Sequence, residues 1–249
     1  LERVAGAERV AAEPEATMEI AELCDHLPLA IRIAGARLAA REHWSLAHLS
    51  RLLRDERRRL DELAVGDLSV RASLALGYGA LTAEARRAFR LLALLDAPTF
   101  TSWALAAVID GSVEQADEHI DELLDAGLLR FTGTDHCGQF RYAFHDLVRL
   151  YGRECAEAEE TVGERVGALT RALGAWLTVA EMADNGLTER VVADVRGTAP
   201  RWKPDQRTTR ALVADPLAWF DSERSALVAC VAQACHAGLD ELAWELSAC

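Results

Sequence analysis

Two short strand-like runs, "LLRFTG" (128–133) and "GQFRYAF" (138–144), interrupt a chain that is patterned for helix almost everywhere else. The polar, glycine-containing stretch between them makes the pair read as a β-hairpin. That single interruption fixes the fold class. The chain is mainly α, with one short hairpin and no run of strands from which a larger sheet could be built.

The helical pattern is punctuated by caps and breakers. Around residues 16–42, Leu23, Leu27, Ile31, Ala34 and Leu38 recur at three- and four-residue steps, and Pro28 interrupts them. Proline is tolerated in a first helical turn and poorly inside one, so one helix ends near Cys24 and another starts at about Pro28. Ser45 caps a following helix over 45–63 with the stripe Leu46, Leu49, Leu52, Leu53 and Leu60. The run Arg57-Arg58-Arg59 lies among Asp55, Glu56, Asp61 and Glu62 and reads as a solvated, salt-bridged face. Further helices are expected over 67–81 (ending in glycines), after Thr82, over 101–110, and from Ser112 to a stop at Gly127. Helices followed by the hairpin match a winged-helix plan. A helix over 163–186 comes next, then an exposed loop over 196–210, then two antiparallel helices divided by Gly238, in the manner of a helical repeat.

Charge and composition exclude several functions. The chain has 27 basic and 40 acidic residues, a net −13, and Lys203 is its one lysine. A phosphate-cradling P-loop needs G-x-x-x-x-G-K-[ST], and Lys203 sits in "PRWKPDQ" with no such glycine and no following Ser or Thr. This chain is therefore not expected to be an enzyme or to hydrolyse a nucleotide alone. The helix that would read DNA in a winged helix carries Glu114, Asp117, Glu118, Asp121, Glu122 and Asp125 with no Lys or Arg. Residues 66–160 hold 8 basic against 16 acidic side chains, a net −8. A groove-entering helix must approach phosphates, so direct DNA contact by this helix is not expected; the acidic face is solvated or meets a basic partner. Six scattered cysteines without a CxxC pair read as reduced thiols of a cytoplasmic protein, and the adjacent His136-Cys137 and Cys235-His236 pairs lack zinc spacing. No apolar run reaches the ~18 residues of a membrane span, so no membrane partner is expected. The chain lacks an initiator methionine and stops inside an amphipathic run, which reads as a piece of a longer protein.

The seam between hairpin and helix holds an ionisable pair. Tyr142 and Phe144 alternate like the end of a strand, Leu147, Leu150 and Tyr151 recur at helical spacing, and His145-Asp146 lie between. A helix N-terminus offers free N–H groups and a positive dipole end that suit an anion. An imidazole there can donate to phosphate, and Asp146 is placed to cap the helix or orient the ring. Taken alone, His145 reads as a structural histidine and Pro28 as helix punctuation.

Four pieces in order, "LCDHLPLAIRIAGARL", "LSVRASLALGYGALTAEARRAFRLLALL", "YAFHDLVRLYGRE" and "DPLAWFDSERSALVACV", give a family likeness. The chain resembles the middle of an NB-ARC regulator of the STAND NTPase class, of the AfsR-type bacterial transcriptional regulators. The resemblance implies an ARC-like helical domain over 1–65, a winged-helix domain over 66–160, and a linker helix with the start of a TPR-like sensor region over 161–249. It implies a preceding nucleotide-binding domain that carries the P-loop, and ADP or ATP with Mg bound only together with that domain, none tightly by this piece alone. The family's "GLPLA" motif falls on residues 26–30, so Pro28 inherits an adenine contact with Leu27 in support. Its "MHD" motif falls on Phe144-His145-Asp146, so His145 inherits a contact to the β-phosphate of ADP that holds the closed state, with Asp146 in support. Asp25 and His26 stand where the family carries small glycines, which permit positive φ. The implied activity is an ADP-off, ATP-on switch whose parent is a slow ATPase, with a protein ligand on the helical repeats and oligomerisation on activation. The alternatives are a protein-interaction scaffold that has lost nucleotide binding, which Asp25-His26 favours and the intact Phe144-His145-Asp146 opposes, and a DNA-binding winged helix.

Overall fold

A computed structural model describes residues 1–66, 68–187 and 197–249. The chain is mainly helical, and its β-structure among the described residues consists of two small antiparallel pairs. It divides into two compact units: Leu1–Ala80 with His145–Tyr151, and Leu81–Phe144 with Gly152–Cys249.

The first unit opens with α1 (Glu2–Ala5), α2 (Ala7–Ala12) and α3 (Pro14–Leu23), followed by α4 (Pro28–Ala40), with Pro28 in its first turn as the sequence requires. Ile33, Ala34 and Leu38 of α4 are fully buried, and Gly35 lets α1 come close: a Cβ there would stand 3.0 Å from Val4 Cβ. Ser45 caps the next helix as expected, its Oγ accepting from the His48 N–H. The expected single helix over 45–63 is, however, two helices, α5 (Leu46–Arg54) and α6 (Glu56–Glu62). Asp55 separates them: its backbone is extended and its carboxylate accepts from the Arg57 N–H as a new N-cap. The arginine run is also not wholly solvated, because Arg59 is buried and donates to the Leu53 carbonyl at 2.6 Å.

A two-residue pair, β1 (Ala64–Val65) and β2 (Leu68–Ser69), follows. Then α7 (Val70–Ala80) runs through Gly77 and Gly79 without ending there; Asp67, where the sequence starts this helix, lies outside the described residues.

In the second unit α8 (Ala83–Leu92), α9 (Ser102–Ile109) and α10 (Val113–Asp125) precede the hairpin of β3 (Arg130–Thr134) and β4 (Phe140–Ala143). Thr82 and Ser112 act as the expected N-caps, Ser112 in a full capping box with Gln115. The hairpin pairs Phe131 with Tyr142, and a bulge between Phe131 and Gly133 shifts the register. Phe100 adds a bridge to Tyr142.

Helix α11 (Asp146–Glu159) begins at the end of the hairpin, and α12 (Val162–Leu187) runs centrally through this unit, with Trp176 stacked edge-on against Trp103 at 5.2 Å. Gly152 of α11 lies against α8: a Cβ there would fall 2.5 Å from that of Ala93. The stretch expected as an exposed loop over 196–210 is partly structured. Residue 196 lies outside the described residues, Ala199 is buried, and α13 (Gln206–Leu212) forms behind an Asp205 cap. The antiparallel pair α14 (Pro216–His236) and α15 (Asp240–Ala248) closes the chain, divided by Gly238 at φ 68°.

Candidate functional site

The site is built on the turn between α3 and α4. Helix α3 ends with the His26 N–H donating to the Ala21 carbonyl at 2.9 Å and the Asp25 N–H donating to the Glu22 carbonyl at 2.7 Å. This is a Schellman ending, in which the residue after the cap takes the left-handed conformation and is usually glycine. Here that residue is Asp25 at φ 50°, and His26 follows at φ 53°. For a residue with a Cβ the left-handed region costs about 1–2 kcal/mol, less for Asp than for most. The structure thus accommodates two side chains where two glycines would be at ease, and it makes use of one of them.

Asp25 reaches the strand-to-helix seam. Its Oδ2 accepts from His145 Nδ1 at 2.8 Å and from the Asp146 backbone N–H at 2.7 Å. A carboxylate offers lone pairs only, so the hydrogen in the first bond belongs to the imidazole. The second bond caps α11 with a carboxylate from 121 residues earlier in the chain. The first unit uses the same device at α5, whose Leu46 and Ala47 N–H groups donate to the two oxygens of Glu13 at 3.0 and 2.9 Å.

The remaining candidates are placed as follows. Leu27 is the N-cap of α4 and Pro28 its first residue, exposed and two to three positions beyond Asp25. His145 is partly exposed, and its ring is oriented by Asp25. Asp146 neither caps α11 with its side chain nor holds the His145 ring: its exposed carboxylate accepts from Arg149 Nη2 at 3.3 Å along the same helix. The ring nitrogen Nε2 of His145 has no hydrogen-bond partner among the described residues and is open to solvent.

Two consequences follow for an anion. The Asp146 N–H, the group a helix start would present to phosphate, is already bonded to Asp25. On the imidazole, Nε2 is the nitrogen left to meet a ligand, and it donates when the ring is charged. Sequence reasoning singled out Asp25 only as a departure from glycine. Its partners lie 120 residues away, beyond the reach of any local pattern.

Other chemistry is sparse. Among the described residues no group of three or more His, Cys, Asp or Glu side chains is placed to hold a metal ion. All six cysteines are free, and burial pushes the Cys24 thiol up to about 12, with Arg59 opposing the shift. A groove of about 980 Å³ opens in the second unit, lined largely by apolar side chains such as Leu217, Phe220, Val228 and Leu246.

No family model matches the chain. Two curated proteins resemble it over nearly its whole length. Regulatory protein AfsR of Streptomyces coelicolor is 42% identical over 237 residues, covering 93% of this chain and 23% of the relative. Regulatory protein AfsR of Streptomyces griseus is 40% identical over 247 residues, covering 98% and 24%. The chain therefore spans about a quarter of the length of these relatives, and it is homologous to that segment of them.

Proposed function

We propose that the chain is the regulatory portion of a nucleotide-dependent switch in a cytoplasmic bacterial transcriptional regulator of the AfsR type. The division is the one implied by the family resemblance: an ARC-like domain over 1–65, a winged helix over 66–160 and the start of a TPR-like sensor over 161–249. Both relatives are regulatory proteins by name, which supports the broad role. The observation that carries the finer one is the hydrogen-bonded link between the Pro28 turn and His145, made through Asp25, with His145 Nε2 left open.

In this reading a nucleotide-binding domain supplies the P-loop. Pro28, with Leu27 behind it, meets the adenine, and His145 meets the β-phosphate of ADP and holds the closed state. Exchange for ATP with Mg, prompted by a protein ligand on the helical repeats, releases the lock and permits oligomerisation. The lock requires that His145 interact more favourably with the ADP state than with the ATP state, since only a difference in interaction moves the equilibrium. The winged helix grips its neighbour and does not read DNA, in keeping with its acidic α10. No helix among the described residues is long and apolar enough to cross a membrane.

The test is ADP retention and basal output of the protein that carries this chain together with its P-loop domain. His145→Ala is expected to release ADP and raise basal output; unchanged retention with unchanged output rejects the switch. A second reading, an interaction scaffold without nucleotide, is favoured by the capture of the Asp146 N–H by Asp25. It requires that the wild-type protein copurify without nucleotide and bind none added.

A further inference from the structure

We infer that Asp25 is the positioning residue of His145: its carboxylate fixes the hydrogen on Nδ1, turns Nε2 outward as the ligand-facing nitrogen, and supplies the N-cap that α11 lacks from its own side chains. The inference deepens the switch reading, and its phosphate consequence rests on that reading.

Three observations converge on Asp25. The first is geometric. One oxygen, Oδ2, accepts from both His145 Nδ1 and the Asp146 N–H, at 2.8 and 2.7 Å. A free imidazole in water exchanges its hydrogen between two nitrogens, but a carboxylate that only accepts selects the form with hydrogen on Nδ1. The second bond fixes the backbone directly after His145, so the ring and its attachment point are held by one group.

The second observation is conformational. Asp25 occupies the left-handed position of a Schellman ending, where glycine is the usual occupant. Strained positions persist where the surrounding structure over-determines them, and they concentrate where a side chain is used. Glycine at 25 would relieve the backbone and discard the carboxylate.

The third is the state of the neighbours. Asp146, the acid nearest in sequence to His145, turns its carboxylate to Arg149. His145 has no hydrogen-bond partner on Nε2 among the described residues. With Nδ1 spent on Asp25, any anion that engages the ring does so through Nε2. Nε2 donates to an anion when the ring is charged, and Nδ1 then keeps its own hydrogen for Asp25.

The same placement explains how His145 can face phosphate although the helix start behind it is already occupied by an anion. The carboxylate neutralises the first turn of α11 and leaves the selectivity for phosphate to a single nitrogen. A competitor role would require the opposite: removal of the carboxylate would free the Asp146 N–H and strengthen phosphate binding.

Two substitutions compatible with a left-handed backbone separate these cases, because glycine and asparagine both adopt it. The first measurement is the ¹⁵N signature of the His145 ring in the 249-residue chain, assigned against His145→Gln. Wild type is expected to show hydrogen on Nδ1. Asp25→Gly is expected to lose that preference while keeping its thermal midpoint within a few degrees, and Asp25→Asn, which retains an acceptor oxygen, is expected to restore it. The second measurement is ADP retention by the protein carrying the P-loop domain, expected to weaken about tenfold in Asp25→Gly and to recover in Asp25→Asn. An unchanged ring signature in Asp25→Gly overturns the inference, as does failure of Asp25→Asn to restore a signature that Asp25→Gly has lost. Tighter ADP retention in Asp25→Gly overturns it in favour of the competitor role. A changed signature with unchanged ADP retention supports the positioning of His145 and rejects the phosphate reading instead.

Discussion

Arg141 of β4 and Glu223 of α14 form a buried ion pair, Nη2 to Oε1 at 2.6 Å, with the side chains 8% and 1% exposed. Arg141 Nε also donates to Asp135 Oδ2 at 2.8 Å, and the Trp176 indole N–H donates to the second oxygen of Glu223 at 2.9 Å. One carboxylate thus ties the hairpin, α12 and α14 together. Breaking such a pair from one side costs about 3–5 kcal/mol where the remaining charge has no other partner, and because Arg141 keeps Asp135 the loss falls toward the low end of that range. Glu223→Ala is expected to lower the urea midpoint by a corresponding amount. A change below about 1 kcal/mol would mean that Arg141 reaches water once Glu223 is gone.

Glu245 of α15 predicts an acid-side weakness. Its oxygens accept from the Gly197 and Ala199 N–H groups at 3.0 and 2.9 Å, and Arg201 pairs with it. Burial alone would raise its carboxyl, but the Ala199 N–H, Arg201 and the Gly197 N–H outweigh it and hold the group below the usual glutamate range. A carboxyl depressed in the folded state contributes stability that is present above its unfolded value, ~4.3, and lost as pH falls through the lower folded value. Glu245→Gln should therefore destabilise the chain at neutral pH. The gap between variant and wild type should close as the pH drops below about 4. Parallel unfolding curves across that range would contradict this account.

His26 offers a stabilising change. It is exposed, sits at φ 53°, and follows another left-handed residue. His26→Gly removes the Cβ penalty but widens the unfolded ensemble, so the expected gain is modest, about 0.5–1 kcal/mol. Chemical denaturation monitored by circular dichroism measures it directly.

Gly152 is a packing requirement. A Cβ at this position falls 2.5 Å from Ala93 Cβ and 3.1 Å from the Phe89 ring, in the core between α8 and α11. Gly152→Ala adds helix propensity, worth about 1 kcal/mol, against overpacking of about 1–3 kcal/mol. A net loss of thermal stability is expected, and Ala93→Gly in the same chain should recover part of it.

For the switch itself, His145→Ala removes one hydrogen bond to a charged phosphate, worth about 1.5–3 kcal/mol. ADP retention is expected to fall by roughly 10- to 100-fold, read by the nucleotide content of the purified protein. Pro28→Ala should weaken ADP and ATP alike, because adenine is common to both, whereas His145→Ala should weaken ADP more than ATP.

The local grammar of the chain was readable residue by residue. Ser45, Thr82 and Ser112 are caps because a short polar side chain precedes an apolar stripe, and Pro28 starts α4 because its φ and missing N–H suit a first turn. The hairpin was legible from its alternation. What was missed depends on competition or distance. Asp55 breaks a continuous apolar stripe because its carboxylate serves better as a cap than as a mid-helix side chain. The 206–212 helix hid behind prolines and arginines, because Asp205 starts it and burial of Thr209 and Leu212 holds it. At the candidate site His145 and Pro28 were visible as motif residues. The role of Asp25 was not, since nothing near position 25 announces a helix that begins at 146.

That distance has a practical side. A shortened chain beginning at Leu81 would keep the hairpin and the long helices of the second unit, and on inspection would look like a sensible domain. It would also present α11 with an uncapped first turn and His145 with a rotating, unpaired ring. Anyone who dissects this protein by sequence position would then measure a histidine whose behaviour belongs to the cut, with its true partner left in the discarded piece.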